Sequence, residues 1–418
     1  MEMKPGYKQT EVGVIPEDWE VKTLGEIAHV TSGGTPSRNR PEYWNGEIPW
    51  ATTSEVNWTT ISETSEGITK EGLANSAAKL FPPGTILLAL YGQGKTRGKV
   101  GILGIEAASN QACAAIILHH GISRDYIFHL LVSQYEQIRR LSNTGNQENL
   151  NSSLVRSIQV SLPSSAEQAS IAAALDDIDD LLNGISEVIA KRQNMKQAAM
   201  QELLTGKRRL PGFEGEWETI RLGNHVKYLK NGTNSRAELR ADGRVKYLHY
   251  GDIHASSRSF ASPHDLPSLP VAKAAGLDRL KDGDLIFADA SEDITGVSKS
   301  VEIYDSRESE VVSGLHTIAA RFEKSVLADG FKGFLQYVPS FSEHLRRLAA
   351  GTKVYATNRA HISSAEVQMP PVSEQKAIAS VLSEMDAELA ALETRRDKTR
   401  ALKQAMMQEL LTGRIRLR

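Results

Sequence analysis

The chain is written twice, and that duplication limits what it can fold into more than any other feature. Residues 163–210 begin PSSAEQASIAAALDDID and end MKQAAMQELLTGKRRL, while residues 370–417 begin PPVSEQKAIASVLSEMD and end LKQAMMQELLTGRIRL. The blocks align without a gap at an offset of about 207 residues, with roughly 20 identities in about 48 positions. MQELLTG stands verbatim at Met200–Gly206 and at Met407–Gly413. Ungapped agreement of this length marks an internal repeat. The repeat extends upstream: Trp19-Glu20 and Leu24-Gly25 match Trp217-Glu218 and Leu222-Gly223, and Gly34-Thr35 with Ser37 matches Gly232-Thr233 with Ser235. A glycine turn then leads into an apolar strand, at 82–90 in one half and 281–288 in the other. Between these anchors the halves diverge, and the second needs about nine extra residues. A kept framework with differing loops suits two similar reading heads with different targets better than a symmetric enzyme.

Each half therefore has two parts. The first is a head of short apolar runs, such as Gly84–Leu90 and Ala112–Leu118, with a helix near Arg124–Leu141 and Gly/Pro/Asn/Ser turns between them. The second is a long helix, about Glu167–Thr205 or Glu374–Thr412, with proline just before its start and glycine just after its end. Roughly 38 residues at about 1.5 Å each give a rod on the order of 57 Å. The expected fold is α+β: two pseudo-twofold-related mixed α/β heads joined by two long antiparallel helices. The boundaries read 1–163 for the first head, 164–206 for its helix, 207–370 for the second head and 371–418 for the second helix.

Apolar spacing and charge decide how the helices pair. Ile171, Leu175, Ile178, Leu182, Ile185, Ile189, Met195 and Leu203 form a 3–4 stripe. Ile378, Val381, Leu382, Met385, Leu389, Leu392, Leu402, Met406 and Leu410 form another. The first helix is acidic early (Asp176, Asp177, Asp179, Asp180, Glu187) and basic late (Lys191, Arg192, Lys196, Lys207). The second repeats this with Glu384, Asp386 and Glu388, then Arg395, Arg396, Lys398, Arg400 and Lys403. Antiparallel pairing sets acid against base, where parallel pairing stacks like on like. Complementing each helix's own dipole is the alternative reason for the pattern. Antiparallel rods imply heads at opposite ends, about 50–60 Å or some 15 base pairs apart.

Composition removes several function classes. The 418 residues suffice for two to four domains, and 40% hydrophobic with 24% charged residues is ordinary for a globular protein. Lys+Arg total 49 against Asp+Glu 51, a net charge of −2, which excludes a uniformly basic coat but not local basic surfaces. A single cysteine, Cys113, rules out an internal disulfide and fits a reducing compartment. No apolar run reaches membrane-spanning length, and MEMKPGYKQTEVG has no signal-peptide core, so a soluble, cytoplasmic protein is expected.

No catalytic set is legible. Tyr91–Thr96, YGQGKT, approaches a phosphate-binding loop, but that pattern needs glycine at position 89, where Ala89 stands, and a helix afterwards. A methyltransferase Pro-Pro-Tyr/Phe element is absent, since the candidates read Phe81-Pro-Pro-Gly and Met369-Pro-Pro-Val. There is no glycine-rich cofactor fingerprint. His119-His120 reads as a solvated strand end and Cys113 as a core thiol. No cofactor or metal is expected on this chain. One competing reading is a nuclease holding magnesium on Asp284, Asp289 and Asp293; another is a coiled-coil adaptor that binds only proteins.

Six head loops combine glycine, small polar residues and cations. In the first head they are Thr31–Arg40, Gln93–Lys99 and Thr144–Asn151; in the second, Lys230–Arg240, Asp252–Arg258 and Gly351–Arg359. Lysine and arginine neutralise phosphates, glycine lets backbone approach, and Asn, Gln and Arg distinguish base edges. The candidate DNA contacts are Thr35, Ser37, Arg38, Arg40, Lys95, Arg97, Lys99, Asn146 and Gln147 in the first head. In the second they are Thr233, Asn234, Ser235, Arg236, His254, Lys353, Tyr355, Asn358 and Arg359. Singly, each loop also reads as an exposed polar turn, and Tyr355 as a buried ring.

The opening KPGYKQTEVGVIPEDWEVKTLGEI, SNQACAAI at 109–116, TGNQENLNSSLV at 144–155, LPSSAEQASIA at 162–172 and the twice-used QELLTG resemble the specificity subunit of type I restriction–modification enzymes. The resemblance covers essentially the whole chain. It implies two target-recognition domains, each reading one half of a bipartite double-stranded DNA sequence. It also implies a helical spacer on which two methylation subunits dock, with endonuclease–translocase subunits joining them. S-adenosylmethionine and ATP would then belong to those partners, leaving this chain non-catalytic. The second head departs at Ser313-Gly-Leu-His316, against Ser109-Asn-Gln-Ala112, and at Gly351-Thr-Lys-Val, against Thr144-Gly-Asn-Gln.

Overall fold

The computed structural model describes residues 5–92, 94–141, 149–256, 258–349 and 354–417. The chain forms two compact units, 1–186 with 395–418, and 187–394.

In the first unit five strands lie in the order Ala28–Ser32, Cys113–Leu118, Ile86–Ala89, Val100–Leu103, Thr60–Ile61; the first three pairings are antiparallel and the last parallel. The strand Ile86–Ala89 is buried throughout because both sheet faces are covered. Ile86 and Leu88 face a core with Tyr126, Ile127 and Leu130 of the helix Arg124–Ser133, whereas Leu87 and Ala89 face Val56, Phe81 and Leu103. An apolar run rather than an alternating one follows from that geometry. The helix expected near 124–141 breaks at Gln134 into Arg124–Ser133 and Tyr135–Arg140. A second, mixed sheet carries Trp44–Ala51 between Glu66–Ile68 and Ala107–Ser109.

The second unit repeats this topology: Val226–Tyr228, Thr317–Phe322, Leu285–Ala288, Ser300–Ile303, Phe260–Ala261, with the same antiparallel and parallel pairings. Leu285 and Phe287 again enter one core and Ile286 and Ala288 the other. Val245–Leu248 takes the place of Trp44–Ala51. The hairpin Tyr7–Thr10/Gly13–Pro16 is found in the first unit, and the pair Ala290–Ser291/Tyr355–Ala356 in the second.

The long helices run Ser165–Leu203 and Val372–Leu410. Within the first unit, Glu167 pairs with Arg416 at 2.6 Å and Asp179 with Lys403 at 2.6 Å, so the two chain segments run in opposite directions. Within the second, Arg192 meets Glu388 at 3.0 Å, Lys196 meets Asp386 at 2.5 Å and Arg209 meets Glu374 at 2.5 Å, again antiparallel. The acid-against-base pattern has its geometric basis in these pairs. Ile171, Leu175, Ile185, Leu203, Ile378, Leu382, Leu389 and Leu410 are buried, and Ile178, Leu182, Met385 and Leu392 are half-buried. Met195 and Leu402, expected in the stripe, instead lie outward at 44% and 52% exposure. The adjacent repeated lysines, Lys196 and Lys403, are largely buried instead, and their ammonium groups reach carboxylates of the other helix.

Each long helix ends at a glycine with φ +69°, Gly206 or Gly413, a left-handed conformation that disfavours side chains. A Cβ at Gly206 would lie 3.2 Å from the Trp217 ring, and one at Gly413 2.5 Å from Pro16 and 3.2 Å from Trp19. The closure is the same in both units. An arginine beyond the glycine (Arg209, Arg416) forks onto the glutamate opening the other helix (Glu374, Glu167) beside the ring of Trp217 or Trp19. The repeated Glu-Gln, Leu-Thr-Gly and Trp positions are thus parts of one clamp. Among the described residues no helix is long and apolar enough to cross a membrane.

Candidate nucleic-acid interface

The antiparallel order of each five-stranded sheet brings several loops to one end. In the first unit these are the segment after Ser32, the segment between Ala89 and Val100, and the segment before Cys113. Three backbone hydrogen bonds tie them together: Gly34 N to Ser109 O at 2.8 Å, Leu90 N to Ala112 O at 2.8 Å, and Leu150 N to Leu90 O at 3.0 Å. The second unit makes the same three, Gly232 N to Ser313 O at 2.8 Å, Asp289 N to His316 O at 3.1 Å, and Thr357 N to Asp289 O at 2.8 Å. A ring beneath each cluster donates to the first loop: Trp50 Nε1 to Gly34 O at 3.0 Å, and the Tyr247 hydroxyl to Asn234 O at 2.9 Å. The scaffold is shared while the side chains on it differ.

In the first unit Thr35 hydrogen-bonds Gln111, and Ser37 accepts at its carbonyl from Trp44 Nε1 at 3.1 Å. Arg38 forks onto Glu66 at 2.5 and 2.8 Å with its guanidinium 3.5 Å from the Trp44 ring centroid. That fork holds the Glu66 carboxyl below the usual carboxylate range and leaves Arg38 fixed in direction yet exposed. Arg40 pairs with Glu42. Lys95 is exposed, and its carbonyl accepts from the Tyr135 hydroxyl at 2.5 Å. Arg97 is 9% exposed and turned inward toward the Arg139 carbonyl, which makes it a loop-shaping residue. Lys99 donates to Asn57 at 2.7 Å and lies 4.5 Å from the Trp58 ring. Asn146 and Gln147 lie outside the described residues.

In the second unit Thr233 is exposed, Asn234 binds Glu238 at 2.9 Å, and Ser235 makes a capping box with the same carboxylate. Lys273 adds a further contact, and with Asn234 and Ser235 it lowers Glu238 to a pKa of about 2. Arg236 bridges to Asp252 at 2.6 Å. His254 Nε2 meets Ala290 O at 2.8 Å, which joins the 252–258 segment to the 289–299 loop. Tyr355 is half-buried in a short strand. Asn358 caps the helix Arg359–Ser363, and the Arg359 guanidinium donates to Leu229 O at 3.0 Å, as Arg156 does to Val30 O in the first unit. Asn358 and Arg359 make these contacts while remaining exposed. Lys353 lies outside the described residues.

Sequence reasoning overlooked Trp44, Trp58, Gln111 and Glu66, which orient the first cluster, and Tyr250, Lys299 and His316 in the second. The aromatic residues carried a signal, since exposed rings beside cations are uncommon. The acids that fix arginine directions carried none, being distant in sequence.

The other constellations resolve into structure. Gly94–Gly98 is a turn leading into the strand Val100–Leu103, not into a helix. The Cys113 thiol is fully buried, and burial raises its pKa to about 12. His119 and His120 are exposed just past the strand end. The three candidate metal acids go to separate partners: Asp284 to Arg321 at 2.6 Å, Asp289 to His316 at 3.2 Å, and Asp293 to Thr295 and Gly296 N. Among the described residues no His/Cys/Asp/Glu cluster has metal-holding geometry.

Comparison with known proteins gives a consistent picture. Residues 16–191 match the family described as type I restriction modification DNA specificity domain. The type I restriction enzyme MjaIX specificity subunit of Methanocaldococcus jannaschii is 28% identical over 60% of this chain and 63% of its own length. The EcoR124I/EcoR124II specificity subunit of Escherichia coli is 32% identical over 46% of each. The alignments thus span about two thirds and about half of those relatives. The putative MjaX specificity subunit of M. jannaschii is 26% identical over 99% of this chain and 97% of its own length. In fold, the crystal structure of the type I restriction–modification S subunit from M. genitalium matches 98% of this chain and 99% of its own with a TM-score of 0.60 at 13% identity. The family match ends at residue 191, but the second unit carries the same topology and clamp. The chain is similar in sequence to the specificity subunits of type I restriction–modification enzymes, and its residues 16–191 carry their DNA specificity domain.

Proposed function

We propose that the chain is a non-catalytic reader of a bipartite double-stranded DNA sequence, one half-site for each recognition head, 1–163 and 207–370. The carrying observation is the loop cluster at one sheet end in each unit, held by the same three backbone hydrogen bonds but furnished with different side chains. A rigid frame with exchangeable contacts is what two reading heads for unlike half-sites require. Arg38, Arg40 and Lys95 in the first head, and Thr233, Ser235 and Arg236 in the second, are the contacts this reading favours. Each is exposed, and Arg38 and Arg236 are held in direction by a carboxylate. Arg97 shapes its loop.

The second part of the reading is that the chain positions two copies of one methylation subunit, which endonuclease–translocase subunits join. Its support is a groove in each unit with the same four helix residues on one wall. Gln404, Met407, Gln408 and Thr412 line one of about 430 Å³ in the first unit; Gln197, Met200, Gln201 and Thr205 line one of about 580 Å³ in the second. The four helix residues are identical in the two copies, although two of them, both glutamines, are exposed and carry no core constraint. Identical surface on diverged halves suits an identical partner bound twice. The paired helices 164–206 and 371–418 would then set the gap between half-sites.

Selection of tight binders from random duplexes, with the methylation partner present, tests the first part. The expected outcome is two short conserved blocks separated by a fixed unconserved gap. A single continuous block, or no selected sequence, would overturn it.

A further inference from the structure

A cavity of about 880 Å³ in the second unit opens among Tyr250, His254, His316, Lys299, Arg346 and Asp293. Its most informative residue is Arg346, whose counterpart in the first unit is Arg139. Both stand in an Arg-Arg-Leu sequence, 139–141 and 346–348, directly after a buried aliphatic residue, Ile138 or Leu345. The two guanidiniums fare differently. Arg139 donates to Gly94 O at 2.6 Å, Arg97 O at 3.2 Å and the Tyr135 hydroxyl at 2.9 Å. Where the first unit has Tyr135 the second has Ser342, and Arg346 has no hydrogen bond or ion pair among the described residues; its Nε is buried without a partner. A half-buried guanidinium left in this state is costly; it needs an acceptor, and an anion is the strongest one.

The rest of the lining narrows the anion. Tyr250 packs edge-on against His316, with centroids 5.5 Å apart, and against His254 at 6.2 Å. His316 is held in a left-handed conformation at φ +55°. His254 is fixed through Ala290 O, and Lys299 donates to the His254 carbonyl at 2.5 Å, so the aromatic wall is braced from both sides. Glu292 and Asp293 also line the cavity, which disfavours a bare phosphate but offers acceptors for an exocyclic amino group. A cation for phosphate, rings for stacking and acids for an amino group together describe a nucleotide.

We propose that this cavity binds a single nucleotide unit, its phosphate on Arg346 and its base against the Tyr250–His316 wall. Resting on the DNA-reading function above, the nucleotide is one of the second head's half-site. The first unit cannot do the same, because Arg139 is already satisfied by its own loop. The heads therefore differ in kind as well as in sequence.

The test uses the full-length protein, its Arg346→Gln and Arg346→Lys variants, and two sets of probes. In the first, the four 5′-deoxynucleoside monophosphates and inorganic phosphate are titrated by calorimetry. Wild type should bind at least one mononucleotide more tightly than phosphate, R346Q should weaken it at least tenfold, and R346K should retain part of it. In the second, affinity for the selected duplex is measured against salt without the methylation partner, because Arg346 also borders the groove given to that partner. R346Q should lose about tenfold, and its log–log salt slope should fall by about one. Equal mononucleotide binding by wild type and R346Q, or none by wild type, with unchanged circular dichroism, overturns the site. If R346Q loses the mononucleotide but keeps the duplex unchanged, the cavity serves a free nucleotide and its DNA source is rejected. A wild type that selects no duplex refutes the DNA-reading function instead, while the first set still judges the cavity.

Discussion

Glu302 shows how far a single residue can depart from its surface chemistry. It is 2% exposed on a central strand of the second unit, where it accepts Gly330 N at 2.7 Å and Gly333 N at 2.8 Å. Burial dominates and raises its pKa from 4.5 to about 7, despite those two donors and nearby Lys332. Because the folded pKa lies above the unfolded one, the contribution is full below pH 4.5 and is lost as pH rises through about 7. A shift of that size corresponds to a few kcal/mol, about 3 at most. The denaturation midpoint of the second unit should therefore fall between pH 5 and 7.5, and Glu302→Gln should flatten that dependence; an equally steep profile in the variant would contradict the assignment. Nothing in the sequence marks Glu302, since a strand glutamate reads as a solvent-facing residue until a second layer is known to cover it. Arg38 and Lys95 were legible as exposed loop cations, whereas Arg97, in the same loop as Lys95, was not distinguishable from them. Its inward turn depends on Arg139, 42 residues away.

At the scale of elements, the helix pair was the most legible feature, because charge order and apolar spacing both act along one helix. The exceptions were Met195 and Leu402, which face outward while the neighbouring Lys196 and Lys403 are largely buried in ion pairs with the other helix. Lys196 and Asp386 are 12% and 23% exposed, so removing the acid strands a largely desolvated ammonium. Asp386→Ala should destabilise the second unit by about 1–3 kcal/mol, and the cycle with Lys196→Met should recover part of that in urea melts. Additive effects would mean the pair carries no coupling. The glycine ends give a sharper contrast. Gly413→Ala combines a left-handed backbone with a 2.5 Å approach to Pro16, whereas Gly206→Ala meets its tryptophan at 3.2 Å. Both variants should lose at least about 1 kcal/mol, with Gly413→Ala the worse. The reverse order in equilibrium unfolding would count against the clamp geometry.

For the whole molecule, the duplication announced two equivalent units, and the repeated strand order and clamp bear it out. What the sequence concealed is that each unit contains pieces of both long helices, with 395–418 completing the first and 187–394 forming the second. A linear division into heads and rods could not reveal this, because the closure of Arg416 on Glu167 links residues 249 positions apart. If the helices set the gap between half-sites, removing four residues from each shortens them by about 6 Å, near two base pairs. The gap should contract while both half-sites stay the same; an unchanged gap would reject the spacer role. The most direct measurement of separate reading is a map of methylated bases made with the methylation partner, for wild type, Arg38→Glu and Arg236→Glu. Each reversal should change or abolish only the half-site read by its own unit, Arg38→Glu one half and Arg236→Glu the other. Changes in both halves from either single substitution would contradict it.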